Sequence, residues 1–232
     1  GAARGHWKPP ATSRSKADAL TEHRVQPTDD PRIVRGMEAQ FARRRARIAA
    51  GERALGWKVG FGAPAAMQKF GITAPLVGFL MESARTASGS TISLAGWVKP
   101  VAEPEIAVYM GRDLAAGADR DTVKTAIAGV GPAIELADVD RPPEDVEQIL
   151  AGNIYQRGVI LGPCDASRAG GKVSGVSGRI LRNGEDFAQT TDPQANTGDI
   201  VDIVRHVADT LAACGAVETV LGSYLEAVCV DG

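Results

Sequence analysis

Three glutamates on two short apolar stretches are the residues whose type and spacing best suit them to chemistry. Glu103 and Glu105 alternate in VAEPEIAVYM, and Glu135 stands in PAIELADVD. Residues two apart in an extended chain share a face, so Glu103 and Glu105 project side by side while Ile106, Val108 and Met110 fill the opposite, apolar face. Glu135 lies between Ile134 and Leu136, and the same alternation turns its carboxylate away from both. Three carboxylates on strands point to a hard-cation site. Mg²⁺ and Mn²⁺ take oxygen ligands, and Mg²⁺ keeps coordination positions for water or a chelating substrate. An isolated Glu-x-Glu also fits the wet face of an antiparallel sheet. Pro104, between the two glutamates, suits a sheet edge, where its missing N–H is harmless.

Composition narrows the partners. The chain has 232 residues, 44% of them hydrophobic, which is enough to bury a core as an ordinary soluble protein. A formal charge of −2 supplies no general attraction to nucleic acid, and no apolar run approaches the ~20 residues of a membrane helix. Neither nucleic acid nor membrane is implied. Cys164, Cys214 and Cys229 are odd in number and lack CxxC spacing, so a reducing, cytoplasmic setting is expected. His6, His23 and His206 are scattered, which disfavours zinc. His206, beside the apolar stripe of IVDIVRHVADTLAA, reads as a helix-surface histidine.

The elements that would position these residues follow from periodicity. Residues 1–28 show no sustained period and read as a loose arm; residues 29–232 read as a single domain. A helix is predicted from Pro31 to Glu52, started by Asp30 and Pro31 and ended near Gly51, with Arg43, Arg44, Arg45 and Arg47 forming a solvated basic face. GWKVGFG follows as a short strand, with Lys58 opposite Trp57, Val59 and Phe61; taken alone, Lys58 fits a residue reaching solvent. Ala65 to Phe70 reads as a short helix, GITAPLVGFL as a turn-rich loop, and residues 89–98 as a strand pair. A helix from about Asp121, carrying Val123, Ile127 and Val130 on one face, leads to the Glu135 strand. Further on come a short helix ending at Gly152, a strand in RGVILG, a hairpin within 172–189 turning at Asn183-Gly184, and the His206 helix.

Taken in order, GWKVGFG, the Gly71 to Leu80 segment, KPVAEPEIAVYMGRDL, GPAIELADVD, GNIYQRGVILG and GDIVDIVRHVADTLAACG resemble the hydratase and decarboxylase branch of the fumarylacetoacetate hydrolase superfamily. The specific part is E-P-E-I-A followed by A-I-E-L. The resemblance implies an α+β fold with a β-rich core, a twisted and partly barrel-like mixed sheet flanked by helices. It implies Mg²⁺ or Mn²⁺ on Glu103, Glu105 and Glu135, Lys58 as the catalytic residue, and Gln68, Asp138 and Asn153 as substrate-binding residues. It further implies a homo-oligomer acting on a small 2-oxo or 2-hydroxy-dienoic acid.

The activity so implied is hydration of a 2-hydroxy-2,4-dienoate to a 4-hydroxy-2-oxo acid in aromatic-compound catabolism. Decarboxylation of the corresponding dioic acid, and a non-catalytic assembly role on the same fold, are the alternatives. Hydrolysis of a C–C bond draws on a histidine–carboxylate pair, and the matching motifs that carry Lys58 and the three glutamates contain no histidine. The chain departs from its relatives in several places: Leu76 follows Pro75, Val139-Asp140 follows Asp138, and Ile154-Tyr155 follows Asn153. It also stops soon after Gly222-Ser223, so the family's C-terminal strands are expected to be missing or altered.

Overall fold

The computed structural model describes residues 29–195 and 198–215, together with the backbone of residues 228–231. The loose arm expected over residues 1–28, and Gly222-Ser223, lie outside the described residues. The fold is α+β. Its centre is a sheet of seven strands among the described residues: β1 (Ala54–Gly60), β2 (Leu76–Met81), β3 (Arg85–Thr86), β4 (Pro100–Met110), β5 (Ile127–Asp138), β6 (Gln156–Leu161) and β9 (Val228–Asp231). Their order is β2-β1-β9-β4-β5-β6-β3. β1 runs parallel to β9 and β3 parallel to β6, while the other neighbours are antiparallel, so the sheet is mixed. β7 (Gly178–Arg182) and β8 (Glu185–Thr190) form a separate, exposed hairpin. It turns at Asn183-Gly184, whose positive φ angles of 57° and 83° suit a tight hairpin turn.

Helices α1 (Pro31–Ala49), α2 (Pro64–Phe70), α3 (Arg120–Ala126), α4 (Val146–Ala151) and α5 (Ile200–Ala213) complete the described elements. Asp30 caps α1 by accepting from the Arg32 amide, with Pro31 in the first turn. Met37 and Phe41 recur at helical spacing and bury against Trp57, Val77 and Phe79 of the sheet. Gly36 allows α1 to cross α4 closely, since a Cβ there would stand 2.7 Å from that of Leu150. Gln40, fully buried, donates from Nε2 to the carbonyls of Val77 and Leu150, tying α1 to β2 and to α4. Of the basic face of α1, Arg44 lies over the Trp57 ring at 4.7 Å and Arg47 pairs with Glu52. No helix among the described residues is long and apolar enough to cross a membrane.

Several expected elements take a different form. LVGFLM is a strand with every residue buried, not a loop. Its glycine reads as a turn signal, yet Gly78 sits at Lys58's register position in the β1–β2 pair. The strand pair expected over 89–98 is absent. Ile92 and Leu94 alternate, but no strand is there to pair them, and Leu94 and Val98 are exposed. The helix from Asp121 ends at Ala126, and Ile127 and Val130 belong to β5. Apolar residues at 123, 127 and 130 fit a helical stripe, but the pairing of β5 with β4 claims the last two. Pro104 is not on an edge strand either, because β4 lies between β9 and β5. β9 pairs only with Glu105 to Ala107, so Pro104 stands one residue outside that ladder.

His206 also differs from its expected place on the helix surface. It is half-buried, with Nε2 2.8 Å from the Pro75 carbonyl, joining α5 to the loop before β2. Nε2 must carry the proton in that bond, which leaves Nδ1 of the neutral ring facing the Thr210 hydroxyl at 3.5 Å. Burial holds the imidazole below its ordinary value of 6.5. The folded chain therefore binds this proton less readily than the unfolded chain. The associated stability is complete above about pH 6.5 and is lost as pH falls through the lower folded value. Melting temperatures recorded between pH 7 and 5 should fall less steeply for His206→Gln than for the parent chain.

Candidate metal centre

The register of β4 and β5 builds the site. Glu103 pairs directly with Glu135, and Glu105 is two residues further along β4, opposite Ala133. Cross-strand partners project to the same side of a sheet, so all three carboxylates share one face. Oxygens from the three lie within 4.8 Å of one another. Glu135 is fully buried, Glu105 nearly so and Glu103 half-buried. In β5 the glutamate side is the inner one. Ala133, Glu135 and Ala137 are buried, whereas Ile134 is 40% exposed. The apolar residues flanking Glu135 thus face outward, and the carboxylate faces in.

Lys58 closes the group from β1. Its side chain is 1% exposed, and Nζ donates to both carboxylate oxygens of Glu135 and, at 3.5 Å, to the carbonyl of Ile154. The alternative of a lysine reaching solvent is thereby overturned. The cause is topological: β1 lies between β2 and β9, and all its residues after Ala54 are buried, so it has no wet face to offer. Gly78 makes the room. A Cβ at that position would meet Lys58 Cγ and Asn153 Oδ1, both at 3.1 Å.

A left-handed turn backs the lysine. Asn153, Ile154 and Tyr155 have consecutive φ angles of 61°, 52° and 59°, a costly conformation for a β-branched residue such as Ile154. The turn aims the Ile154 carbonyl at Lys58 and the Tyr155 carbonyl at the amide of Asp138. Asn153 anchors it: Oδ1 accepts from the Phe79 amide at 2.8 Å and Nδ2 donates to the Phe79 carbonyl at 2.9 Å. This carboxamide pairs with the outer edge of β2 as another strand would.

The residues expected to bind substrate therefore separate. Asn153 is spent on Phe79. Asp138, also buried, accepts from the amides of Val98 and Lys99 and lies 3.6 Å from Arg157, fastening the loop that enters β4. Gln68 is exposed on α2, and its side chain makes no hydrogen bond among the described residues. Only Lys58 and the three glutamates converge. Sequence reasoning missed Gly78 and the left-handed turn; the one signal for the turn was Asn153, a residue type that tolerates positive φ. A cavity of about 350 Å³ opens elsewhere, lined by residues such as Arg32, Met37, Ile72 and His206, and none of the four lines it. The convergence of charge is what marks the site.

The donor set suits a hard divalent cation. Three carboxylates and one ammonium sum to a formal charge of two negatives, the complement of a doubly charged ion. Carboxylates within 4.8 Å repel by ~3 kcal/mol per pair at an effective dielectric of ~20. A cation among them would relieve that repulsion, and oxygen-only ligands favour Mg²⁺ or Mn²⁺ over softer metals.

Residues 57–216 match the fumarylacetoacetate (FAA) hydrolase C-terminal family model. The chain belongs to that family. It is 28% identical over 176 residues to a 2-hydroxyhexa-2,4-dienoate hydratase of Comamonas testosteroni, covering 74% of this chain and 66% of that protein. To a 4-oxalocrotonate decarboxylase of a Pseudomonas species it is 29% identical over 156 residues, 63% of this chain and 60% of that one. The chain thus spans about two-thirds or less of the length of these curated relatives. In fold it is similar to 4-oxalocrotonate decarboxylase from Pseudomonas putida G7 complexed with magnesium and adipate, with a TM-score of 0.73 at 23% identity over 85% of this chain and 77% of that one.

The buried ion pair of this FAA-hydrolase domain makes a test of the geometry. Lys58→Met strands a buried carboxylate beside two others and should destabilise the domain by about 3–5 kcal/mol in urea unfolding. Adding Glu135→Leu to the same chain should recover most of that loss.

Proposed function

We propose that this chain is a metal-dependent hydro-lyase that adds water to a 2-hydroxy-2,4-dienoate, of the 2-keto-4-pentenoate type, to give a 4-hydroxy-2-oxo acid. The observation that carries this reading is the meeting of Glu103, Glu105, Glu135 and Lys58 on one face of the sheet. The names of the hydratase relatives supply the substrate class. The three glutamates would hold Mg²⁺ or Mn²⁺. Such an ion supplies Lewis-acid polarisation of a chelating 2-oxo acid and stabilises negative charge on its oxygen.

The chain's own residues do the rest. Lys58, fixed by Glu135 and the Ile154 carbonyl, presents a positive charge and a donor that could hold the substrate carboxylate or relay a proton. Hydration needs two proton movements. The 2-hydroxyl proton is lost and C5 gains one, giving a 2-oxo-3-enoate whose C4 is electrophilic; water then delivers OH to C4 and a proton to C3. Substrate plus one water balances the product. Burial of Glu105, Glu135 and Lys58 keeps bulk water from competing for these groups.

The decarboxylase relatives favour a second reading, loss of CO₂ from a 2-oxo-3-enedioate on the same site. The two separate cleanly by product, since one consumes water and the other releases CO₂. The presence of all four site residues weighs against a purely structural subunit. The same reading carries a partly barrel-like curl of the sheet, a cytoplasmic location and assembly as a homo-oligomer.

Purified chain stripped with chelator should lose 2-hydroxypenta-2,4-dienoate hydration and regain it with Mg²⁺ or Mn²⁺. Glu105→Gln should need more metal for the same rate, and Lys58→Met should lower turnover per folded molecule by ~10²-fold or more. Full activity in excess chelator would remove the metal from the mechanism, and CO₂ release without hydration would replace this activity with the decarboxylase one.

A further inference from the structure

The turn at residues 153–155 is tied down on three sides. The Asn153 amide donates to the Leu150 carbonyl and the Ile154 amide to that of Ile149, both at 2.8 Å, while the Tyr155 carbonyl accepts from the Asp138 amide at 3.0 Å. These ties to α4 and β5 are backbone bonds, indifferent to side-chain type. The third tie is the Asn153 carboxamide, which bonds in both directions to the backbone of Phe79 in β2. β2 is also the strand whose Gly78 stands at Lys58's register position in β1. The Asn153 side chain therefore sets the turn against the strand pair that carries the lysine.

Three groups share the space over Gly78. A Cβ there would meet Asn153 Oδ1 and Lys58 Cγ at 3.1 Å and Ile154 Cδ1 at 3.3 Å, so the carboxamide, the lysine stem and the isoleucine side chain are neighbours. All three residues are buried. At the other end of the lysine, Nζ donates to the Glu135 carboxylate and, at 3.5 Å, to the Ile154 carbonyl. The carboxylate belongs to the candidate metal set, whereas the carbonyl is neutral and its place does not depend on what Glu135 binds. That place depends on the turn. Ile154 holds a φ of 52°, which is costly for a β-branched residue, so a turn released from β2 would relax and carry the carbonyl with it.

We propose that Asn153 is a positioning residue: by clamping the 153–155 turn to β2 across Gly78, it fixes the direction of the Lys58 ammonium and so governs turnover without touching substrate or metal. The effect on turnover rests on the role given to Lys58 in the reaction proposed above. The mechanical coupling of Asn153 to Lys58 does not.

Asn153→Gly tests the clamp, because glycine adopts the left-handed conformation freely and only the carboxamide is lost. With folded protein counted by active-fraction-independent far-ultraviolet dichroism, kcat at saturating Mg²⁺ should fall about tenfold or more, while KM and the Mg²⁺ needed for half-activation stay within about twofold. Gly78→Ala, which crowds Lys58 Cγ and Asn153 Oδ1 from the β2 side, should give the same signature. A raised KM at unchanged kcat would make Asn153 a substrate-binding residue, and unchanged kcat and KM would make it purely structural; either result overturns the proposal. A urea-unfolding cycle of Lys58→Met, Asn153→Gly and the double variant reads the coupling without any activity. The double variant's loss of stability should be smaller than the sum of the single losses, and strict additivity would overturn the clamp. A parent chain inactive on the dienoate would count against the hydratase reading alone, since the unfolding cycle still decides the role of Asn153.

Discussion

The contact between Lys58 and Glu135 constrains everything around it. β1 and β5 are separated by β9 and β4, three steps of the sheet, or about 14 Å were it flat. The Lys58–Glu135 ion pair therefore ties together two strands that share no ladder of their own. The small side chains of Ala107 and Ala133, fully or nearly buried on the glutamate face, leave room for it. Removing the pair would take away the attraction that offsets three converging carboxylates.

Those carboxylates explain the unusual distribution of burial. A sheet with one wet face would have let them be solvated individually, at little consequence. Here the glutamates stand on the inner side of β4 and β5, with Glu105 and Glu135 buried, while Ile134 on the other side is 40% exposed. Buried charge of one sign is tolerated when it is paired or when it ligates a cation. Lys58 supplies one compensating charge, and a divalent ion would supply the balance. The strained turn at Asn153–Tyr155 fits the same picture, because backbone held in sparsely populated conformations gathers where a side chain must be aimed. Its anchor is the Asn153 carboxamide on β2, so the residue most exposed to a substrate reading by motif is instead part of the scaffold.

Much of the local structure was legible before the fold was known. The α1 boundaries followed from Asp30, Pro31 and Gly51, the hairpin from Asn183-Gly184, and α5 from its apolar stripe, because each signal is contained within a few residues. The losses share a cause. LVGFLM was hidden because its glycine serves a neighbour, Lys58, that is 20 positions away in the chain. Residues 127–130 were drawn into a helix because apolar spacing in so short a run does not distinguish a helical stripe from a strand. His206 was placed on a surface because its partner, the Pro75 carbonyl, is reached only through tertiary packing.

By itself, the sequence determined the chemistry available: which carboxylates alternate on which strands, one lysine in a glycine-flanked strand, and an ordered set of motifs shared with the FAA-hydrolase family. Side-chain type and spacing are local properties, and they survive without coordinates. Tertiary structure alone decided which of the candidates meet. The β4–β5 register set Glu103 opposite Glu135, the tertiary fold brought Lys58 to Glu135, and backbone partners claimed Asn153 and Asp138. Convergence of charge is a relation between strands distant in sequence, fixed by pairing and packing rather than by any segment's own pattern.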